Sequence, residues 1–253
     1  MNATLASTRC DAVVELNLHE VHLWWVDVRV GAQMQQHLSG LLQQDERDRA
    51  ARFHFAPDRR RFIVARAALR SVLAGYMRIQ ADRINFQHGP CGKPWIASNA
   101  LRFNTSHSGD WALVAVSSDH ELGVDVERVD STRADRDLAR RFFAPAEVAE
   151  LESLPASERV MGFFNCWTRK EAFIKATGEG LQRPLDSFQV ALGPTRTASL
   201  VQVDGKHNTR WRMWSIEAPV GYASALVADG NQGSPRAFQW RPDVAVRVSR
   251  YAS

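Results

Sequence analysis

The sequence resembles itself in two places, and this internal repetition restricts the fold more than any other feature. The segment ARFHFAPD at residues 51–58 resembles ARRFFAPAE at 139–147, and WALVAVSSD at 111–119 resembles YASALVADG at 222–230. The members of the two pairs are about 89 and 111 residues apart. Similar segments that recur in the same order indicate that a structural unit has been duplicated.

A helical pattern between these segments is repeated as well, and it ends at Gly75 in the first half and at Gly178 in the second. Separations that grow along the chain are expected for duplicated halves that carry insertions. We therefore predict an α+β fold of two similar α/β subdomains, residues 1–121 and 122–253, which face one another. Any ligand site is expected in the cleft between them.

The second helical pattern carries a carboxylate where an apolar residue is expected. Wound as a helix, residues 160–177 place five side chains on one narrow stripe that should face the core: Val160, Phe164, Trp167, Glu171 and Ile174. A buried carboxylate needs a cation or takes up a proton, and Lys170 and Lys175 flank this one. Two interpretations stay open at this point: an ion pair that only holds the helix in place, or a functional site.

A second acidic pattern lies in the predicted strand LGVDVERV at 122–129. Because side chains alternate along a strand, Asp125 and Glu127 point to the same face, where their charges repel unless a cation lies between them. With oxygen ligands only, the favoured ion is Mg²⁺, with Mn²⁺ as an alternative. An isolated pattern of this kind is more often a solvated strand face, but apolar flanks favour a strand in a cleft wall.

Several residues offer hydrogen bonds or positive charge to phosphate. Ser106, His107 and Ser108 are expected at a turn beside a glycine. Lys93 is expected on the loop GPCGKP, and Lys175 close to the carboxylates. Each signal is weak alone, since a histidine in a turn usually satisfies a local hydrogen bond. Together with metal carboxylates they indicate a pyrophosphate site for phosphoryl transfer. Neither GxxxxGK[ST] nor GxGxxG occurs, so a P-loop and a dinucleotide fold are not supported.

Composition excludes several other classes of protein. The 253 residues carry a net charge of +4, with 45% hydrophobic and 24% charged residues, as in globular proteins. No apolar run approaches the length of a membrane span and no secretion signal is visible, so we expect a cytoplasmic protein without membrane contact. Three scattered cysteines support neither a disulfide framework nor a CxxC zinc site. A mildly basic chain suits an anionic ligand or an acidic protein partner.

Four motifs in this order resemble one family: GKP at 92–94, FNTSHSG at 103–109, GVDVE at 123–127 and WTRKEAFIKATGEGL at 167–181. They are similar to the 4'-phosphopantetheinyl transferases of the surfactin-activating type, whose halves are related by a pseudo-twofold axis. The resemblance implies transfer of 4'-phosphopantetheine from coenzyme A to a serine of an apo acyl or peptidyl carrier protein. It also implies Mg²⁺ as the cofactor and release of adenosine 3',5'-bisphosphate.

The resemblance implies roles for the residues of the two acidic motifs. Asp125, Glu127 and Glu171 correspond to metal ligands, and Lys175 to the lysine on the pyrophosphate. The base that takes the proton of the carrier serine is either Glu171 or a water on the metal, and the sequence does not choose between them.

The resemblance also implies contacts to coenzyme A. His107 and Lys93 correspond to residues on its phosphates, and Ser106 lines the same pocket. Relatives often carry lysines that contact the 3'-phosphate near the segment that corresponds to Arg52 and Phe53, where this chain has arginines. Arg49 and Arg61 are therefore our predictions for that contact, against the alternative that a helix face of arginines is solvated.

Two other classes of function compete with this reading. A non-catalytic module could bind coenzyme A or carrier proteins, but the complete acidic set and Lys175 disfavour it. A nucleic-acid binder rests only on the arginines of 47–70 and lacks a recognised binding signature, so we expect no nucleic-acid partner. We expect a monomer, because the two halves build the cleft within one chain, and a role in secondary metabolism whose carrier the sequence does not identify.

Overall fold

The computed structural model describes residues 14–97, 101–193, 200–203, 205–208, 210–230 and 233–250. The α+β class predicted from the sequence is confirmed. The first half contains β1 Val14–Leu16, β2 Val21–Asp27, α1 Ala32–Ser39, α2 Gln44–Ala51, α3 Ala56–Met77, β3 Gln87–His88, β4 Pro94–Trp95, β5 Arg102–Ser108 and β6 Trp111–Ser117. The second contains β7 Leu122–Arg128, α4 Arg136–Phe142, α5 Pro145–Ser153, α6 Ala156–Thr177, β8 Phe188–Val190, β9 Leu200–Val203, β10 Lys206–His207, β11 Trp211–Ser215, β12 Tyr222–Asp229, β13 Arg236–Gln239 and β14 Val248–Arg250.

Two sheets organise the molecule. One has the strand order β13-β2-β6-β5 and the other β11-β12-β7. Strand β6 is antiparallel to β2, as β12 is to β7, and β5 and β11 extend the two sheets in the same way. Strand β13 is parallel to β2 and β14 is parallel to β1, so residues 236–250 pair with the beginning of the chain.

The two sheets share a hydrophobic cluster. Apolar side chains of β2 and β6 lie in it together with side chains of β7, β11 and β12, among them Trp25, Leu113, Val124, Trp214 and Leu226. Each of these five side chains is less than a tenth exposed. Burial of this apolar surface holds the two sheets against each other.

The predicted boundaries of the first long helices are wrong. Apolar residues at 38, 41 and 42, followed by a charged run, predict one helix over residues 38–56. In the structure, α1 ends at Ser39 and α2 begins at Gln44. The Glu46 carboxylate accepts a hydrogen bond from the backbone N–H of Gln43 at 3.0 Å, which starts a new helix there. Asp58 follows Pro57 and is predicted from the sequence to cap the next helix. It lies instead in the first turn of α3, where it accepts a hydrogen bond from Arg61.

Gly75 does not end α3, contrary to the prediction. The helix continues to Met77 and ends at Arg78 in a left-handed conformation with φ 56°. A Cβ at Gly75 would overlap the backbone and side chain of Val246, so the glycine lets α3 pack directly against the chain at Val246. Gly178, in contrast, ends α6 with φ 76°, as predicted.

Both long helices have 22 residues and each anchors a buried ion pair. In α3 the Nε of Arg70 lies 2.7 Å from Glu46, and in α6 the Nζ of Lys170 lies 2.7 Å from Glu147. Each cation also donates to two backbone carbonyls, those of Ala81 and Ile84 for Arg70 and those of Leu185 and Phe188 for Lys170. Lys170 therefore serves the fold and does not pair with Glu171.

The similar segments 51–58 and 139–147 do not lead into equivalent helices. The first segment leads into the 22-residue α3, whereas the second leads into the nine-residue α5. None of the helices among the described residues is both long and apolar enough to cross a membrane.

Replacing Lys170 with alanine should lower the free energy of unfolding by about 3–5 kcal/mol, because it leaves Glu147 and two carbonyls buried without their cation. Urea unfolding followed by circular dichroism measures this change. Arg136→Ala, which breaks the exposed pair with Glu152, is the control and should leave the free energy nearly unchanged. Equal effects of the two substitutions would contradict the assigned importance of the buried pair.

Candidate active site

Strand β7 lies unusually close to helix α6, and this contact positions the acidic residues. A Cβ at Gly123 would overlap the carbonyl of Ala172 and the amide of Ala176. Only glycine permits such a close approach of strand and helix. The contact brings Asp125 and Glu127 of β7 to the side of α6 that carries Glu171 and Lys175.

Asp125 lies at the centre of a hydrogen-bonded group. Its side chain is almost completely buried, and its Oδ1 accepts hydrogen bonds from Lys175 Nζ at 2.6 Å and from Ser106 Oγ at 2.7 Å. Lys175 Nζ is also 3.1 Å from Ser106 Oγ. Two elements that are distant in sequence, β5 and α6, thus meet at one carboxylate oxygen.

Alternate residues of β5 hold β7 through side chains. Asn104 accepts a hydrogen bond from the backbone of Val124 at 3.0 Å, and Ser108 donates one to Glu127 at 2.7 Å. The segment expected to form a turn is strand up to Ser108. Sequence reasoning did not assign Asn104 to the site, although it shares the face of Ser106 and Ser108 in a strand of period two.

The three acidic side chains carry negative charge that is not fully compensated. Burial and the charge of Asp125 raise the pKa of Glu127 above its ordinary value. Burial and the charges of Asp125 and Glu127 raise the pKa of Glu171 in the same direction. The Oδ2 atom of Asp125 is buried without a hydrogen-bond partner. These features are typical of a site that is completed by a cation.

Within the part of the chain that the structure describes, Asp125, Glu127 and Glu171 are not yet gathered around one point. No choice of one oxygen from each carboxylate places all three oxygens within 4.8 Å of one another. Like charges repel, and the ammonium of Lys175 neutralises Asp125 instead. The unpartnered Oδ2 and the raised pKa values of Glu127 and Glu171 nevertheless fit a hard divalent cation with oxygen ligands.

His107 lies at the edge of this group, on the face of β5 opposite to Ser106. It retains solvent access, but the surrounding protein atoms are the largest cause that lowers its pKa, followed by the positive charge of Lys175. Arg49 and Arg61 lower it further, so α2 and α3 direct their positive charge towards the same imidazole. Arg61 also pairs with Asp58 at 2.8 Å.

Lys93 is held by the protein itself. Its Nζ donates to Glu121 Oε2 at 3.1 Å and to the carbonyls of Leu122 and Ala176 at 3.2 Å each. An ammonium has three N–H donors, and all three are used. Lys93 therefore fastens its loop to the start of β7 and the end of α6, and it shares with Lys175 a cavity of about 210 Å³.

The predicted apolar stripe of α6 is only partly buried. Phe164 and Ile174 are buried, whereas Val160 and Trp167 are half-buried. Phe164 and Trp167 line a second cavity of about 430 Å³ together with Glu127 and Leu138. The stripe thus faces open space beside the acidic group, which explains how a carboxylate is tolerated on it.

Replacing Asp125 with asparagine should lower the pKa of both Glu127 and Glu171, because the charge of Asp125 raises both. Carboxyl ¹³C chemical shifts followed during a pH titration measure the two values. Asp27→Asn, which removes a carboxylate paired with Arg29, is the matched control and should leave them unchanged. Unchanged pKa values of Glu127 and Glu171 in the Asp125 variant would show that the charge of Asp125 does not act on these two carboxylates.

Comparison with known proteins gives the family. Residues 121–228 match the model of the 4'-phosphopantetheinyl transferase superfamily, and residues 31–119 match that of the 4'-phosphopantetheinyl transferase N-terminal region. The chain is 40% identical over 227 residues to the 4'-phosphopantetheinyl transferase HetI of Nostoc sp., covering 88% of this chain and 90% of the relative. It is 28% identical over 205 residues to the 4'-phosphopantetheinyl transferase Sfp of Bacillus subtilis, covering 81% and 89%.

The solved structure of Thermotoga maritima holo-[acyl-carrier-protein] synthase covers 44% of this chain and 64% of its own, with a TM-score of 0.34 and 19% identity. This likeness is too low to establish a shared fold. The match to HetI extends over nearly the whole of both sequences. On that ground the chain belongs to the 4'-phosphopantetheinyl transferase superfamily of enzymes.

Proposed function

We propose that this enzyme transfers 4'-phosphopantetheine from coenzyme A to a serine of an apo acyl or peptidyl carrier protein. The observation that carries the proposal is the meeting of Asp125, Ser106 and Lys175 beside the raised-pKa carboxylates Glu127 and Glu171. A cation site next to a lysine and a histidine suits a diphosphate. Membership of the family supplies the substrate class.

The two sequence halves, residues 1–121 and 122–253, are proposed to be duplicated units related by a pseudo-twofold axis. Three observations support this. Strands β2-β6-β5 of one sheet have the same order as strands β7-β12-β11 of the other. Each half also contains a 22-residue helix, and each of these helices carries a buried ion pair. The shared cluster between the sheets supports a cleft formed within one chain, and hence a monomer. The acidic residues of β7 and α6 have no counterpart in β2 and α3, so we propose a single active cleft.

Asp125, Glu127 and Glu171 are proposed to hold Mg²⁺, with Mn²⁺ as an alternative ion. The oxygen-only donor set and the unpartnered Oδ2 of Asp125 support this assignment. When bound, such an ion withdraws negative charge from the diphosphate of coenzyme A and so weakens the bond that breaks.

The remaining chemistry falls to side chains of this protein. The serine oxygen of the carrier attacks the β-phosphorus, and the bond from that phosphorus to the bridging oxygen breaks. The electron pair leaves with adenosine 3',5'-bisphosphate, whose charge Lys175 and His107 stabilise. Glu171, one helical turn before Lys175, is proposed to accept the serine proton, and a water molecule in the cation site is the alternative base.

The rest of coenzyme A is proposed to lie along the positive edge of the site. Ser106 and His107 suit the diphosphate, and Arg49 and Arg61 suit the 3'-phosphate, since both direct charge at His107. Lys93 reaches a phosphate only by exchanging one of its three present acceptors. Its contribution is therefore proposed to combine loop positioning with phosphate contact. The carrier is proposed to be acidic, in keeping with the net charge of +4.

Asp125→Ala and Glu127→Ala should each abolish transfer while leaving the fold intact. The assay incubates the enzyme with coenzyme A, Mg²⁺ and a panel of apo carrier proteins, and intact mass spectrometry detects the added group. Asp243→Asn, an exposed carboxylate outside the site, is the control and should retain full activity. Normal transfer by either alanine variant would remove the metal assignment. Binding of coenzyme A by the unaltered protein without transfer to any carrier would favour a non-catalytic module.

Lys175→Ala should reduce turnover more than it reduces affinity for coenzyme A, because the ammonium acts on charge that develops as the bisphosphate leaves. Steady-state kinetics and equilibrium binding of coenzyme A separate the two effects. Lys206→Ala, on the short strand β10, is the matched lysine control. A loss of affinity with unchanged turnover would make Lys175 a binding residue only.

A further inference from the structure

A second group of potential metal ligands lies apart from the acidic residues of β7 and α6. His19 occupies the turn between β1 and β2, and Asp119 and His120 occupy the turn between β6 and β7. Side chains separated by about 100 residues in sequence meet there. Nothing in the proposed transfer reaction uses them.

The three ligand atoms form a small triangle. His19 Nδ1 lies 2.9 Å from Asp119 Oδ2 and 3.0 Å from His120 Nε2, and His120 Nε2 lies 3.4 Å from Asp119 Oδ2. Ligand atoms about 2.0–2.2 Å from a tetrahedral metal lie roughly 3.3–3.6 Å from each other, as simple geometry requires. The edge between His120 and Asp119 has this length, and the two shorter edges both end at His19. A movement of that exposed side chain by about half an ångström therefore gives one face of a tetrahedral metal site.

No placement of protons makes all three contacts of this triangle hydrogen bonds. If both ring nitrogens carry protons and donate to Asp119, the 3.0 Å contact between His19 and His120 joins two donors. If only His19 carries the proton, the contact between His120 and Asp119 joins two acceptors, and if only His120 carries it, the contact between His19 and Asp119 does so. A cation at the centre satisfies all three atoms together.

The surrounding groups orient the three ligands. The other ring nitrogen of His120, Nδ1, faces Asp229 Oδ1 at 3.4 Å, which is the carboxylate–histidine arrangement found behind metal ligands. The hydroxyls of Ser117 and Ser118 donate to Oδ1 of Asp119, at 3.4 and 3.2 Å. Oδ2 of Asp119 is thereby turned towards the histidines.

We propose that His19, Asp119 and His120 bind one divalent transition metal of the Zn²⁺ class. Two imidazoles and a carboxylate favour such ions over Mg²⁺, which prefers oxygen ligands only. The side chain of His19 is 65% exposed and that of Asp119 is 28% exposed, so solvent reaches the site and water completes the coordination.

The metal would cross-link two turns where the two halves of the chain meet. It joins the turn before β2 to the turn that leads into β7, whose first residue, Leu122, follows His120 by two positions. Asp229 at the end of β12 backs the same site. Closing so long a loop restricts the unfolded chain and stabilises the start of the strand that carries Asp125.

Titration of the full-length, metal-stripped protein with Co²⁺ in excess Mg²⁺ tests the proposal, because the Mg²⁺ fills the oxygen-only site. We expect one equivalent of Co²⁺ to give the visible absorption of four-coordinate cobalt, and Zn²⁺ to displace it. We also expect Zn²⁺ to raise the midpoint of thermal unfolding. His19→Ala and His120→Ala should each weaken binding by more than about tenfold, and Asp229→Asn by about tenfold.

Two control variants complete the design. His37→Ala, on the exposed end of α1, and Cys91→Ser, the exposed thiol, should bind Co²⁺ like the unaltered protein. Circular dichroism confirms that each variant is folded. Because His19 has a left-handed backbone with φ 65°, which strains an alanine, His19→Asn is tested beside His19→Ala, since asparagine adopts this conformation more readily. Absence of the Co²⁺ absorption overturns the proposal, and so does binding by the His19 and His120 variants that is as tight as binding by the unaltered protein. Loss of binding in Cys91→Ser alone also overturns it.

Discussion

The ion pair between Lys175 and Asp125 is the interaction on which the candidate active site depends. A carboxylate that is almost completely buried needs a cation, and in this structure the ammonium one turn beyond Glu171 provides it at 2.6 Å. One of the two oxygens of Asp125 is used in this way, while the other is buried without a partner. The site is therefore neutralised in part and keeps an affinity for a further positive charge.

The rest of the molecule places these groups within reach of each other. Gly123 lets β7 lie directly on α6, and Lys170 fastens the same helix from its opposite side through Glu147 and two carbonyls. Side chains of β5 bond to β7 at alternate positions. Since a buried and hydrogen-bonded scaffold moves little, the backbone that carries the acidic residues is held in position before any ligand binds.

Local sequence patterns predicted the faces of strands and the end of α6. Features that depend on contacts between distant parts of the chain could not be predicted from them. Alternation in GVDVE correctly placed Asp125 and Glu127 on one face, and a glycine correctly ended α6 at Gly178. The partner of Lys170 was not predictable, because Glu147 lies on another helix and only packing brings the two together. Gly75 was misread as a helix end for the same reason, since its contact with Val246 is absent from the local sequence.

Anomalous diffraction from crystals grown with Mn²⁺ and coenzyme A tests the central claim most directly, because manganese scatters anomalously and shares the oxygen preference of magnesium. The account predicts one peak bonded to carboxylate oxygens of Asp125, Glu127 and Glu171, with Lys175 displaced from Asp125. An ion bound to the diphosphate away from these three residues, with the pair of Lys175 and Asp125 intact, would contradict it.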